Sequence, residues 1–275
     1  MNPLFSIIMV TLNPGEKARK TMESIRKQSF TDYQVVVKDG GSKDGSIDQI
    51  KAWLETVPEM ADRVMVVEEQ DTSIYDGMNQ ATQKATGEYL YFLNSGDYFA
   101  HNDSLKEMAE GIWNHSQNKG RSLIFYGNIY DALREQVVPS NPRIDDFACY
   151  RNVPCHQACV YHHSLFAERG YETKYKVRGD YEHFLWSYFC KNAKPQYIPV
   201  TLALYEGGGF SETPENRKRS AQEHKEITAL YMKKSQLLKY KLTMILTLAP
   251  LRTKMAESPA LAGSYNFVKK ILYRR

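Results

Sequence analysis

The chain has no uncharged apolar run approaching the roughly eighteen residues of a membrane span, so it offers no candidate transmembrane helix. Cysteine is scarce. Four thiols without paired spacing predict reduced side chains and a cytoplasmic protein, not a disulfide framework. The segment from Met1 to Met9 lacks a basic stretch followed by a long apolar core, so no signal peptide is expected. Internal repeats and low-complexity segments are also missing. What is present is an ordinary globular composition, 42% hydrophobic and 25% charged over 275 residues. That length suits one elaborated α/β domain with a tail as well as it suits two domains.

Charge is unevenly placed. The net charge is +4, yet from Lys233 to Arg275 ten Lys or Arg face one acid, Glu257, an excess of +9. The rest of the chain therefore carries 4 − 9 = −5. An acidic body argues against nucleic acid as its partner. The basic tail contains the apolar stretch Leu237 to Leu251 and ends in Tyr265 to Arg275, which reads as a basic amphipathic helix. This predicts peripheral attachment to the anionic inner face of a membrane. Helices packed on the body with a solvated basic face are the alternative.

The first half alternates strand and helix. Strands are expected at Phe5–Leu12, Gln34–Lys38, Val64–Val67 and Tyr89–Leu93, with helices at Glu16–Gln28, Ser46–Glu55 and Tyr75–Ala85. Such alternation predicts a parallel sheet built of right-handed crossovers. The second half is less regular. Helices are expected at Ser104–His115, His163–Arg169, Tyr181–Cys190 and, as one long element, Asn216–Tyr240. Strands are expected at Ser122–Tyr130 and Tyr197–Tyr205.

The most informative stretch is Tyr89-Leu-Tyr-Phe-Leu-Asn-Ser-Gly-Asp97, an apolar strand ending abruptly in Asn94, Ser95, Gly96 and Asp97. Ligands of open α/β sheets bind beyond the carboxyl ends of the strands. A carboxylate there suits a hard cation bridging phosphate oxygens; an ordinary turn is the plain alternative. Asp39 follows the second strand in Lys38-Asp-Gly-Gly-Ser-Lys-Asp-Gly45, where it could accept from a base or a ribose. The segment lacks the Gly-Lys-Ser/Thr ending of a phosphate loop. Asp71 and Asp76 either favour a helix N-terminus through its dipole or line a donor pocket.

Taken together, Thr11-Leu-Asn13, Lys38 to Gly45, Ile74-Tyr-Asp-Gly-Met-Asn79, Thr86-Gly-Glu-Tyr89 and Phe92-Leu-Asn-Ser-Gly-Asp97 closely resemble family 2 glycosyltransferases of the GT-A fold. The match covers roughly the first hundred residues, with Gly179-Asp180-Tyr181 a thinner continuation. The resemblance implies an α/β, Rossmann-like, mostly parallel sheet with flanking helices and a helical C-terminal tail. The catalytic domain would span 1–215 (1–100 for the nucleotide sugar, 101–215 for the acceptor), with a basic extension over 216–275. It implies an inverting transferase using a nucleotide-diphosphate sugar (UDP-sugar favoured, GDP-sugar as the other choice) and a divalent metal, Mn²⁺ or Mg²⁺. The acceptor would be a saccharide or lipid-linked saccharide, in cell-surface polysaccharide synthesis.

Carried over by position, Thr11, Asn13, Asp39, Asp71, Asp76, Asn79, Asn94 and Ser95 fall on the donor side, and Asp97 takes the metal. One departure stands out: Asn94 occupies the place of the first acid in the family's Asp-x-Asp motif, so Asp97 alone brings charge to that turn. Inversion by direct displacement needs a base at the acceptor hydroxyl. By resemblance Asp180, in Arg178-Gly-Asp-Tyr-Glu-His183, is that base, with Glu182 as the fallback and helix capping as the competing role.

Between these motifs lies Pro154-Cys-His-Gln-Ala-Cys159, followed by His162 and His163. No Cys-x₂-Cys pair supports zinc. His156 and Gln157 are placed on the acceptor or diphosphate side, with a packed core histidine as the alternative. Gly207-Gly-Gly-Phe-Ser211 is either a closing loop or a plain connection. A nucleotidyltransferase is disfavoured, because Thr11-Leu-Asn-Pro-Gly15 is not a basic, Gly-rich triphosphate signature. A catalytically inactive nucleotide-sugar or carbohydrate-binding protein stays open through Asn94.

Overall fold

The computed structural model describes residues 2–119, 122–207 and 213–247. The chain forms two compact units, Met1–Lys225 and Glu226–Arg275. The first opens with β1 (Phe5–Thr11), α1 (Glu16–Arg26), β2 (Tyr33–Asp39), α2 (Ser46–Thr56), the short α3 (Pro58–Ala61), β3 (Val64–Glu68), α4 (Ile74–Thr82) and β4 (Tyr89–Phe92). All seven residues of β1 are buried, as a strand covered on both faces requires. The order β3-β2-β1-β4 is parallel throughout, with Ile8 registered against both Val36 and Phe92. Thr11, Asp39 and Leu93 therefore come off the sheet along one edge. Close packing of the turn before β4 needs Gly87, since a Cβ there would lie 2.5 Å from the Ser6 amide nitrogen.

Beyond β4 the sheet continues with β5 (Tyr98–Phe99), α5 (Ser104–Lys119), β6 (Ile124–Asp131), β7 (Gln136–Val138), α6 (Asp146–Arg151), β8 (Cys159–His162), α7 (His163–Glu168), α8 (Gly179–Cys190) and β9 (Gln196–Tyr205). The spatial order is β4-β8-β6-β9-β5, with β7 on β6. Here β4–β8, β8–β6 and β9–β5 are antiparallel, and β6–β9 is parallel. The whole is the mixed, mostly parallel α/β sheet of the expected class, its longest ladders being the parallel ones. Strand β8 crosses the sheet where the sequence showed only a Cys/His cluster, because four residues are too few to display a period.

The single helix expected over 216–240 is two helices, α9 (Pro214–Tyr231) and α10 (Lys234–Leu246). Lys233 between them is extended (φ −66, ψ 149), and its N–H donates to Gln236 Oε1, which starts α10 afresh. The first twelve residues of α9 belong to the first compact unit, so that unit runs ten residues past the expected boundary at 215. The amphipathic segment expected over 265–275 and the loop 208–211 lie outside the described residues. No described helix is long and apolar enough to cross a membrane.

Candidate active site

A cleft of about 560 Å³ opens beyond the carboxyl end of β4. One wall is the turn after β4. Asp97 N–H donates to the Asn94 carbonyl at 2.9 Å, and Gly96 supplies the positive φ of 97° that the turn needs. The Thr21 hydroxyl receives the Gly96 N–H at 3.0 Å and ties this turn to α1. Lys17 of α1 reaches over Gly96 into the cleft, its Cδ 3.4 Å from where a Cβ would stand.

Asp97 is mostly buried, and burial pushes its carboxyl up to about 6; the nearby Glu206 charge adds to this, while a bond from Gln157 opposes it. That bond, Gln157 Nε2 to Asp97 Oδ2, is 3.1 Å long. Gln157 is itself held: its carbonyl accepts from Tyr91 Oη at 3.0 Å and its Oε1 from Cys155 Sγ at 2.9 Å.

The opposite wall is the start of α8. Asp180 Oδ1 accepts from Tyr75 Oη at 3.0 Å, and the same hydroxyl lies 2.9 Å from the Val177 carbonyl. Arg178, not Asp180, holds the N-cap position of α8, and its side chain makes no capping bond; Asp180 lies in the first turn. The preceding segment is clipped by Glu223 of α9, whose carboxylate accepts the backbone N–H groups of Lys176 (2.9 Å), Val177 (3.0 Å) and Arg178 (2.8 Å). The Arg178 side chain lies over the Tyr181 ring and donates to Ser220 Oγ at 2.7 Å and Asn152 Oδ1 at 2.9 Å.

Between the walls stands His156. Its ring packs on Phe92, 5.2 Å between centroids. Burial lowers its pKa, with the Asp180 charge opposing, so it is neutral near pH 7. Burial also pushes the Cys155 thiol up to about 12, and the nearby Asp97 and Asp180 charges both add to that shift.

Several buried polar atoms of the cleft lack a hydrogen-bond partner among the described residues: both ring nitrogens of His156, Asn94 Oδ1 and Ser95 Oγ; Thr11 Oγ1, at the end of β1, is unmet too but lies outside the cleft lining. An unmet buried polar group costs about 1–3 kcal/mol. Such atoms gathered in one cleft are suited to polar ligand groups. Among the described residues no group of three or more His, Cys, Asp and Glu is placed to hold a metal. Asp97, Asn94 Oδ1 and Ser95 Oγ form an all-oxygen set with one charge. It fits a hard cation that takes its remaining ligands from phosphate and water.

The remaining expected site residues do not line this cleft. Asn13 and Asp39 sit at the same sheet edge, but lace two loops together. Asn13 Oδ1 accepts from Lys43 N–H at 2.8 Å, while Asp39 Oδ2 accepts the Gly41 and Ser42 N–H groups. Asp71 forms an ion pair, 2.9 Å, with the fully buried Lys38. Asp76 Oδ2 accepts from Thr72 N and Oγ1, and its own N–H donates to the capping Ser73 Oγ, so the dipole alternative describes it. Asn79 clamps the Tyr171 backbone through both amide atoms, at 2.9 and 2.7 Å, which uses the groups a donor would need. Glu182 is buried in a bidentate pair with Arg169, 2.7 and 3.1 Å, and so is spoken for as a base.

Sequence reading missed Tyr75 as a contact of Asp180, gave Arg178 no role although it opens the Arg178–His183 motif, and missed Lys17 and Glu223 altogether. The first sits inside the recognised Ile74–Asn79 motif and was within reach. The others depend on contacts across 40 to 80 residues of chain that no local pattern displays.

The family model for glycosyl transferase family 2 matches residues 6–169. A PGL/p-HBAD biosynthesis glycosyltransferase of Mycobacterium bovis is 30% identical over 213 residues, covering 77% of this chain and 80% of its own. Among solved structures, mannosyltransferase PcManGT from Pyrobaculum calidifontis, in complex with GDP-Man and Mn²⁺, aligns with a TM-score of 0.67 at 17% identity. That alignment covers 100% of this chain and 82% of its own. S. aureus TarS 1-349 in complex with UDP aligns at 0.61 and 19% identity, covering 84% of this chain and 68% of its own. At these identities the two structures show a shared fold.

Proposed function

Since the chain belongs to glycosyl transferase family 2, we propose that it transfers a sugar from a nucleotide-diphosphate sugar to a saccharide or lipid-linked saccharide hydroxyl, with inversion at the anomeric carbon. The observation that carries this reading is the pair of carboxylates, Asp97 and Asp180, lining one cleft together with His156 and Gln157. They are differently equipped. Asp97 belongs to an oxygen-lined turn, whereas Asp180 Oδ1 accepts from a neutral donor, Tyr75, which leaves Oδ2 without a hydrogen bond from the described residues to oppose a proton.

In the reaction, Asp180 takes the proton of the acceptor hydroxyl as that oxygen bonds to the anomeric carbon and the bond from carbon to the diphosphate oxygen breaks. Tyr75 and Glu223 hold Asp180 in place. Asp97 with Asn94 and Ser95 would hold a divalent Mn²⁺ or Mg²⁺, which when bound would supply positive charge for the leaving diphosphate. Lys17 adds a second positive charge from the chain itself. His156, neutral and in want of partners, hydrogen-bonds a sugar hydroxyl at the middle of the cleft. UDP- and GDP-linked donors are both in keeping with the ligands named for the fold neighbours.

Peripheral membrane binding by the C-terminal region, at the cytoplasmic face, is part of this reading. Its described support is an exposed apolar stripe on α10, Leu238, Leu242 and Ile245. Asn94 favours one second reading, a nucleotide-sugar-binding protein without turnover.

The test is a panel of UDP- and GDP-sugars screened by thermal shift with Mn²⁺, then NMR of the product's anomeric configuration with the stabilising donor. Retention of configuration, or stabilisation without release of nucleotide from the donor in the presence of any acceptor, would sink the inverting-transferase reading.

A further inference from the structure

Two cations on the Asp180 side of the cleft have no role in the reaction above. Lys176 and Arg178 flank Val177, and both line the cleft. Their backbone is fixed by Glu223, so the segment presents these side chains from a rigid support. The polar partners of Arg178 are a serine hydroxyl and an asparagine amide, both neutral. Neither cation is ion-paired with a carboxylate among the described residues. An arginine carries five N–H donors and two are used here; a lysine carries three. Half-buried positive charge with spare donors beside a reaction centre attracts an anion, and Arg with Lys suits phosphate oxygens best.

The donor diphosphate does not account for them, because the Asp97 turn and Lys17 form the other wall. We propose that Lys176 and Arg178 make an anion subsite for the acceptor, which carries a phosphate group next to the hydroxyl that attacks. This rests on the reading that Asp180 marks the acceptor side. It narrows the acceptor from any saccharide to a phosphorylated one, such as a sugar phosphate or a lipid-linked phosphosaccharide.

The experiment uses the full chain with methyl phosphate as the probe, titrated by ³¹P NMR with UDP and Mg²⁺ present, and with trimethyl phosphate as an uncharged control seen by the same nucleus. Wild-type protein should bind methyl phosphate with saturation and the control not at all. Arg178→Met should weaken methyl phosphate about tenfold or more, the scale of a lost charge-assisted pair. Lys176→Gln, at a half-exposed position with no side-chain hydrogen bond or ion pair among the described residues, should weaken it several-fold without disturbing the fold. UDP affinity should stay within about twofold in both variants.

Equal loss of UDP and methyl phosphate affinity would move these cations to the donor side and overturn the subsite. Unsaturable methyl phosphate binding, or binding unchanged in both variants, would overturn it as well. Saturable, Arg178-dependent methyl phosphate binding by a chain that fails to bind UDP would keep the anion subsite and remove the glycosyl-transfer reading instead.

Discussion

The Tyr75 hydroxyl lies 3.0 Å from Asp180 Oδ1 and 2.9 Å from the Val177 carbonyl, joining the start of α4 to the start of α8 across 105 residues of chain. One phenol thus sets both the carboxylate and the backbone that carries it. Tyr75→Phe keeps the ring packing and removes only that link. Turnover should fall about tenfold with UDP affinity unchanged, and stability should drop by about 1 kcal/mol. Steady-state kinetics beside a UDP titration check this; unchanged turnover would free Asp180 from any dependence on Tyr75.

Asp180→Asn retains shape and much of the hydrogen bonding but cannot accept the proton. Transfer should drop by roughly 10²–10⁴-fold, with Mg²⁺-dependent UDP binding intact. Because Asp180 lies inside the first turn and not at the N-cap, and Asn can still accept from Tyr75, melting temperature should scarcely move. Near-normal turnover would pass the base role to another group.

Asp97 predicts a pH effect of definite sign. Burial raises its carboxyl to about 6, so the folded protein prefers the neutral form. Its ionisation therefore costs stability as pH rises through 6, while metal-assisted donor binding needs the ionised form and should fade below pH 6. Asp97→Asn should stabilise the protein at pH 7.5 by on the order of 1 kcal/mol. The gain should shrink toward pH 4, and Mn²⁺-dependent stabilisation by UDP should disappear. Thermal melts at three pH values, with and without UDP and Mn²⁺, separate these effects.

Glu223→Ala strips three backbone N–H groups of their acceptor. A loss of about 3 kcal/mol is expected. At a temperature where the variant stays folded, kcat should fall while UDP affinity holds, with Glu223→Gln recovering part of the loss. A parallel fall in UDP affinity would show that Glu223 supports the fold at large instead of the base segment.

Asp71→Ala leaves the Lys38 ammonium, which is 0% exposed, without its counter-charge. Breaking such a pair costs about 3–5 kcal/mol. Stability should fall sharply, whereas the UDP affinity of the remaining folded protein should change little. Weaker UDP binding with normal stability would return Asp71 to the donor pocket.

The sequence by itself determined the parallel half of the fold. The strands β1, β2 and β4 are buried on both faces, so they read as unbroken apolar runs, and the turn residues at their ends mark the edge where Asn94, Asp97 and Asp39 collect. It also singled out Asp180 and the His156-Gln157 pair, because these lie in short ordered motifs. Tertiary structure alone decided which polar groups face the cleft. Asn79, Asp71 and Glu182 look as available in sequence as Asp97, yet a backbone clamp, a buried lysine and an arginine have claimed them. Lys17, Arg178 and Glu223 look like ordinary surface charges until α1, α8 and α9 pack around the cleft. Hydrophobic periodicity is a local signal and survives in a string of letters. Satisfaction of a polar group is a pairing between distant residues, and only the folded chain reveals the partner.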